Sequence, residues 1–242
     1  MFPISDDNPS RITPLVTWGF IVTCIVVYLW QFSLGENEAK EAVFRLGMIP
    51  ARLFGISEPS GVSATIPAWG TLFTSMFMHG GLLHLGGNML YLWIFGDNIE
   101  DAMGSVRFIV FYLICGVAAA MSQALLNTSS EIPMIGASGA VSGVLGAYLL
   151  LHPRTSVRVL LFFGFFVNIV HVPAMLVLGV WFVGQLFSAV LTPVDQPGIA
   201  FAAHIGGFVA GLALVPLFKY KYVPLLQSPE RKGFWTERRK GP

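Results

Sequence analysis

Along this chain the polar positions are bunched and the apolar ones run on without interruption. Six stretches carry no charged residue: Ile12–Gly35, Pro59–Gly96, Phe108–Ser130, Ile132–Pro153, Val159–Val194 and Gln196–Phe218. Each is at least 22 residues long, and about 20 apolar residues cross a bilayer as a helix. Two stretches are too long for a single helix. The one from Pro59 opens with Pro59-Ser-Gly-Val-Ser-Ala-Thr-Ile-Pro67, rich in turn formers, so its span is expected to begin near Trp69 to Phe73 and to end before Asp97. Val159–Val194 has room for one span and an interfacial piece, or for two cramped spans.

Loop charge decides the count, because cytoplasmic loops carry excess Lys and Arg. With six spans and both termini inside, Arg11, Arg107, Arg154, Arg158 and seven basic residues after Phe218 face the cytoplasm, and only Lys40, Arg45 and Arg52 lie outside. A seventh span would carry the basic tail across the membrane. The chain therefore reads as an all-α membrane protein with six transmembrane helices and cytoplasmic N- and C-termini. Residues 1–11 form a short cytoplasmic segment, 12–218 the membrane domain with an outer loop at about 35–68, and 219–242 a basic cytoplasmic tail. Val159–His171 becomes a membrane-hugging lead-in, with the fifth helix starting near Pro173, since proline suits a first turn. The outer loop, with Val43, Phe44, Leu46, Met48, Ile49, Leu53 and Phe54, is expected to fold onto the outer membrane surface.

Composition agrees: 55% of the residues are apolar and 11% charged, against about 25% charged in soluble domains. Net charge is +1 and no basic face interleaves with aromatics, which argues against a nucleic-acid partner. Cys24 and Cys115 lie deep in apolar stretches and read as small core residues. The polar opening segment lacks a signal peptide's basic start, so the first span reads as a retained anchor.

Polar groups inside spans are costly and mark function by default. Here they are His79, His84 and Asn88 on the second span, Gln123 on the third, Ser138 and Ser142 on the fourth, Gln185 on the fifth and His204 on the sixth; no Asp, Glu, Lys or Arg is expected within any span. Counted at the helical rise, Ser138 and His204 come to similar depth, roughly 10 Å below the outer surface. Gly139 and Gly143 on the fourth span, and Gly207 and Gly211 on the sixth, form GxxxG pairs that let helix backbones approach closely. A hydroxyl and an imidazole held at such a crossing suit nucleophilic catalysis, with His204 as the base for Ser138. His84, Asn88 and the backbone N–H of Ser138 can donate to a developing oxyanion. With no carboxylate to orient the ring, this would be a dyad.

At these residues the chain resembles the rhomboid family of intramembrane serine proteases. Gly136-Ala-Ser-Gly139 matches the GxSG nucleophile motif, and Ala203-His204-Ile-Gly-Gly207-Phe-Val-Ala-Gly211 matches AHxxGxxxG. His79, His84 and Asn88 match the second helix's His-x4-His-x3-Asn. The resemblance implies a six-helix core, Ser138 as nucleophile, His204 as base, and His84 and Asn88 as oxyanion-binding side chains, with Gly136, Gly139, His79 and Gly207 in support. It also implies a water-filled cavity open to the outside, and substrates reaching it laterally near the fifth helix. Two departures stand out: the outer loop's tryptophan–arginine pair is absent, Trp69 being followed by Gly70, and Ser142 replaces an aromatic that packs on the histidine in some members.

The expected activity is cleavage of transmembrane protein segments near their outer ends, in the lipid bilayer of a prokaryotic plasma membrane, without metal or cofactor. The alternative is a catalytically silent relative that binds and escorts transmembrane helices; such a protein need not keep Ser138 and His204. A solute transporter would want intramembrane charge or inverted repeats, and a zincin would want HExxH. The remaining polar groups have plainer readings. His79 bonds within the outer loop, His152 and His171 are interfacial, Gln123 and Gln185 each make a helix–helix hydrogen bond, and the tail meets anionic lipid.

Overall fold

The computed structural model describes residues 2–58, 65–163, 166–191 and 200–228. A strand, β1 (Phe2–Asp6), precedes the first long helix, α1 (Leu15–Ser33). The outer loop then carries α2 (Glu36–Leu46), α3 (Pro50–Leu53) and α4 (Thr71–Thr74), the last flanked by 3-10 turns. Two long helices follow, α5 (Leu82–Met103) and α6 (Ser105–Leu126), and then the shorter α7 (Ser138–Leu151). A hairpin of β2 (Ser156–Phe163) and β3 (Phe166–Pro173) leads into α8 (Ala174–Leu191), and α9 (Phe201–Phe218) completes the bundle. Among the described residues four helices, α1, α6, α8 and α9, are long and apolar enough to cross a membrane.

The core is organised around α7. Eleven of its 14 residues are buried, and it packs against α9, α6 and α5. Small residues make that possible. A Cβ on Gly207 would run into the Gly139 carbonyl, one on Gly211 into the Gly143 carbonyl, and one on Gly146 into the Phe208 carbonyl. In lipid, where apolar surface gains nothing from leaving water, such backbone proximity is a principal source of helix attraction. The outer helices are held more lightly. On α1 the buried residues are Thr17, Cys24 and Gln31, seven apart on one seam. On α8 they are Ala174, Val177 and Leu178, all within its first five residues.

Several expectations change. The second long helix begins at Leu82, not near Trp69 to Phe73, because the chain first turns through α4 and an extended Met78–Gly81. It also runs past Gly96 to Met103, so Asp97, Glu100 and Asp101 are helical, and Arg107 lies in α6. Glu100 is fully buried. Its carboxylate accepts hydrogen bonds from Val16 N (3.1 Å), Thr17 N (2.8 Å), Thr17 Oγ1 (2.8 Å) and Ser105 Oγ (2.7 Å). Two of these donors are orphan N–H groups in the first turn of α1, so Glu100 caps a neighbouring helix.

The lead-in before α8 folds as a β-hairpin. Ser156 pairs with Pro173 and Leu160 with Ile169, and β1 joins as a third antiparallel strand with Asp6 opposite Val157. The β-branched Val157 and Val159 point inward with Arg158 between them, the period-2 pattern of a half-buried strand. The outer loop folds onto the protein itself: Met48 pairs with Met134, and Ala51 N donates to Ser130 O. Buried Arg52 ties the loop together, donating to Phe44 O and to Glu58 (each 2.8 Å), where the tryptophan–arginine pair is missing.

Candidate active site

α7 is 14 residues long, about 21 Å at the helical rise, which falls short of a hydrocarbon core of about 30 Å. No helical turn precedes Ser138, so the depth counted from Glu131 at the helical rise does not apply. The chain descends instead through a non-helical run to Ala137, and α7 begins at Ser138 itself. Irregular backbone at that depth is tolerated where it is buried in protein or lines a cavity. Here it does line one. A cavity of about 840 Å³ is bordered by Ile135, Gly136 and Ser138 on this run and by His84, Asn88 and His204 from α5 and α9.

His204 stands in the first turn of α9, and its Nε2 lies 2.8 Å from Ser138 Oγ. The Gly139–Gly207 backbone contact one residue beyond Ser138 holds the two helices at the distance this bond needs. Gly136 makes the space. Its φ of +131° lies in the region that favours glycine. A Cβ there would sit 2.8 Å from His84 Nε2 and 3.6 Å from Ser138 Oγ. The missing side chain thus leaves room between the Ser138 hydroxyl and the His84 imidazole, where a reacting carbonyl would have to lie.

His84 and Asn88 are one turn apart, and Asn88 Nδ2 donates to the His84 carbonyl at 3.0 Å. The Gly80 N–H reaches His84 Nδ1 at 3.4 Å, which leaves Nε2 on the cavity side. The Ser138 N–H, first in its helix, has no intrahelical acceptor. The His79 ring is buried, neither of its nitrogens has a hydrogen-bond partner among the described residues, and it lies edge-on to His84 at 5.2 Å; its backbone N–H donates to Gln31 Oε1 at 3.0 Å.

Two residues around the imidazole were given no part in the site by the sequence. Gln185 Oε1 lies 2.6 Å from His204 Nδ1, a helix–helix bond as expected but made to the site itself. Trp181, one turn earlier on α8, covers the His204 ring with centroids 6.0 Å apart and a 33° tilt. It occupies the role open at Ser142, whose hydroxyl instead donates to the Ser138 carbonyl at 2.6 Å. The other spanning glutamine differs: Gln123 Oε1 is buried without a partner among the described residues. His152 lies 3.4 Å from Asn8, and His171 is exposed on β3, both remote from the cavity.

A serine hydroxyl with an imidazole on it stands at the wall of a mostly apolar cavity, among helices long and apolar enough for an integral, multi-pass membrane protein. The Rhomboid domain model matches residues 67–221, and the chain belongs to the rhomboid family. It is 33% identical over 199 residues to Rhomboid protease GluP of Bacillus subtilis (strain 168), covering 82% of this chain and 34% of that protein. It is 32% identical over 162 residues to RHOMBOID-like protein 5 of Arabidopsis thaliana (63% and 48%). Rhomboid protein 1, mitochondrial, of Saccharomyces cerevisiae is 30% identical over 149 residues (59% and 40%). The chain thus spans a third to a half of these relatives' length.

Proposed function

We propose that this chain is an intramembrane serine endopeptidase that cleaves transmembrane segments of other membrane proteins near their outer ends. The observation that carries the reading is the 2.8 Å contact between Ser138 Oγ and His204 Nε2 at the wall of a cavity shared with His84 and Asn88. Ser138 Oγ attacks the scissile carbonyl carbon while its proton passes to His204 Nε2. His84, Asn88 and the Ser138 N–H hold the oxyanion. The tetrahedral intermediate collapses, the C–N bond breaks, and His204 returns its proton to the leaving amine. Water, deprotonated by the same ring, then releases the acyl group and restores the hydroxyl. Because a regular helix shields its peptide bonds, substrates with Gly or Pro near the cut unwind at lower cost.

The reading extends to topology. Six spans, α1 and α5 to α9, would put both termini in the cytoplasm and the cavity towards the outside. Pairing of β1 with β2, and the bonds from Tyr220 N to Ala102 O and Gln227 N to Leu151 O, support a common side for the N-terminus, the α7–α8 connection and the tail. Residues 12–218 would form the protease domain of a prokaryotic plasma-membrane protein, with the bilayer and transmembrane proteins as its partners.

Ser138→Ala and His204→Ala are expected to abolish cleavage of a co-expressed model transmembrane substrate while membrane insertion is unchanged. Wild-type Ser138 should react with a fluorophosphonate or isocoumarin in detergent. Cleavage that persists in Ser138→Ala overturns the assignment. A wild type that binds transmembrane helices yet neither cleaves nor labels would instead be an escort.

A further inference from the structure

The dyad leaves one question of chemistry open: which ring nitrogen of His204 carries the proton. A neutral imidazole can take the serine proton on Nε2 only if its own proton sits on Nδ1. In hydrolases with a third residue, a carboxylate acceptor on Nδ1 enforces that tautomer. No carboxylate lies near His204 among the polar contacts of the described residues, but Gln185 Oε1 does, at 2.6 Å from Nδ1. We propose that Gln185 is a positioning residue for the proposed protease reaction: its amide oxygen accepts the Nδ1 proton of His204 and so holds the ring in the tautomer that can act as base. This rests on the protease reading of the site.

The surroundings of the ring support the role. Ser138 Oγ and Gln185 Oε1 engage opposite nitrogens, so the two bonds fix the imidazole along its long direction. Trp181, four residues before Gln185 and hence on the same face of α8, lies against the ring plane, and Phe201 meets it edge-on at 87°. Rotation about the Cβ–Cγ bond is opposed from both ends and from one face. A neutral amide suits a site that places no anion beside the ring: it selects the tautomer without adding charge inside the membrane. The opposite amide orientation would have Gln185 Nε2 donate to His204 Nδ1, put the ring proton on His204 Nε2, and leave nothing to accept from Ser138.

The bond also belongs to a particular part of the fold. The buried residues of α8 all lie between Ala174 and Leu178. Beyond them the helix meets α9 through Trp181, through Phe182 stacked on Phe208 at 4.4 Å, and through Gln185. The tautomer of the base is therefore coupled to whether the outer half of α8 is seated.

The test uses the full chain in detergent with ring-15N histidine, His204 being assigned by difference against His204→Gln. The expected wild-type ring is neutral with the proton on Nδ1. Gln185→Met, close in volume but without an acceptor, should shift it to a mixture containing Nε2–H. The same variant should lower kcat on a model transmembrane substrate by about 10²-fold, the range of a general-base contribution, with KM unchanged within about 2-fold. Gln185→Glu, which keeps the acceptor, should recover most of kcat. A wild-type ring protonated on Nε2 overturns the proposal and needs no variant to fold. So does a Gln185→Met protein that keeps both the Nδ1–H ring and its kcat. A wild type that neither cleaves nor labels, yet shows Nδ1–H sensitive to Gln185→Met, sinks the protease reading while the bond stands; activity with Nε2–H sinks the positioning role alone.

Discussion

Replacing Glu100 by Gln alters nothing in side-chain volume and yet sets a donor against a donor. Each carboxylate oxygen faces one backbone N–H and one hydroxyl: Oε1 faces Val16 N and Ser105 Oγ, Oε2 faces Thr17 N and Thr17 Oγ1. The hydroxyls can rotate to accept from an amide, but a backbone N–H cannot. Whichever way a glutamine turns, its NH2 meets either Val16 N or Thr17 N. One buried backbone donor left without a partner costs about 1–3 kcal/mol, and the surviving bonds lose the strength of a charged acceptor. The first turn of α1 also loses an anion worth about 0.3–1 kcal/mol. The expected loss is about 2–4 kcal/mol, read as a lower midpoint in SDS or thermal unfolding of the detergent-solubilised protein. Thr17→Val, which removes one hydroxyl bond, should cost about 1 kcal/mol. The fluorophosphonate reactivity of Ser138 in the remaining folded protein should be unchanged, because the hydrogen-bond partners of Glu100 among the described residues, Val16, Thr17 and Ser105, do not line the cavity. A Glu100→Gln protein within about 0.5 kcal/mol of wild type would refute the reasoning, since changes that small are typical of substitutions at unconstrained surface sites.

Three further outcomes follow. Gly136→Ala must hold a φ of +131° with its Cβ 2.8 Å from the His84 ring, so Ser138 labelling should slow by about 100-fold, the scale of a 1 Å displacement of reacting groups; an unchanged rate would show that the loop relaxes freely. Burial, opposed by the Tyr148 hydrogen bond and reinforced by Asp97, raises the Asp6 carboxyl from its ordinary 3.8 to about 7. A raised folded value means the stabilisation is complete below the unfolded value and is lost as pH rises through about 7. Hydrogen exchange of the Phe2–Asp6 amides, corrected for intrinsic rate, should therefore be faster at pH 8 than at pH 6, and Asp6→Asn should flatten the difference. Cys24 and Cys115 are fully buried, so a maleimide should label neither until the protein is denatured; native labelling would place one of them at a surface.

What the sequence made legible was what depends on residue type at fixed spacing. Ser138 and His204 could be paired because small residues at 139, 143, 207 and 211 announce a close crossing, and the structure has their helices in backbone contact there. Gln185 was visible as a polar residue in lipid, but which ring it would meet depended on how α8 lies beside α9. The hairpin at 156–173 was hidden because an uncharged run rich in Val, Leu and Phe satisfies a span's composition whichever period it folds with. Glu100 misled for a different reason. A charge normally marks the end of a span, but here its desolvation is offset by two N–H groups of α1, a partner more than 80 residues away in sequence. Residues 192–199, including the last of the fifth uncharged stretch, lie outside the described residues.

The contacts that set the site fall into two groups with different neighbours. The Ser138–His204 separation is fixed by backbone-to-backbone packing of α7 on α9, with α6 behind, where Cys115 abuts Gly143 and Ala119 abuts Gly139. None of those contacts involves α8. The orientation of the imidazole, by contrast, depends on Gln185 and Trp181, which α8 carries beyond its last buried residue, Leu178. In the proposed reaction, a transmembrane segment reaching the cavity past α8 would displace that part of the helix, because a polypeptide helix is about 10 Å across. Such a displacement would leave the α7–α9 backbone crossing intact and release only the ring. Reseating α8 around a bound segment would restore the Nδ1 bond at the moment Ser138 Oγ faces a carbonyl. A rigid helix crossing and a releasable ring would together, in the proposed reaction, allow a helix to enter without the α7–α9 packing being rebuilt each time.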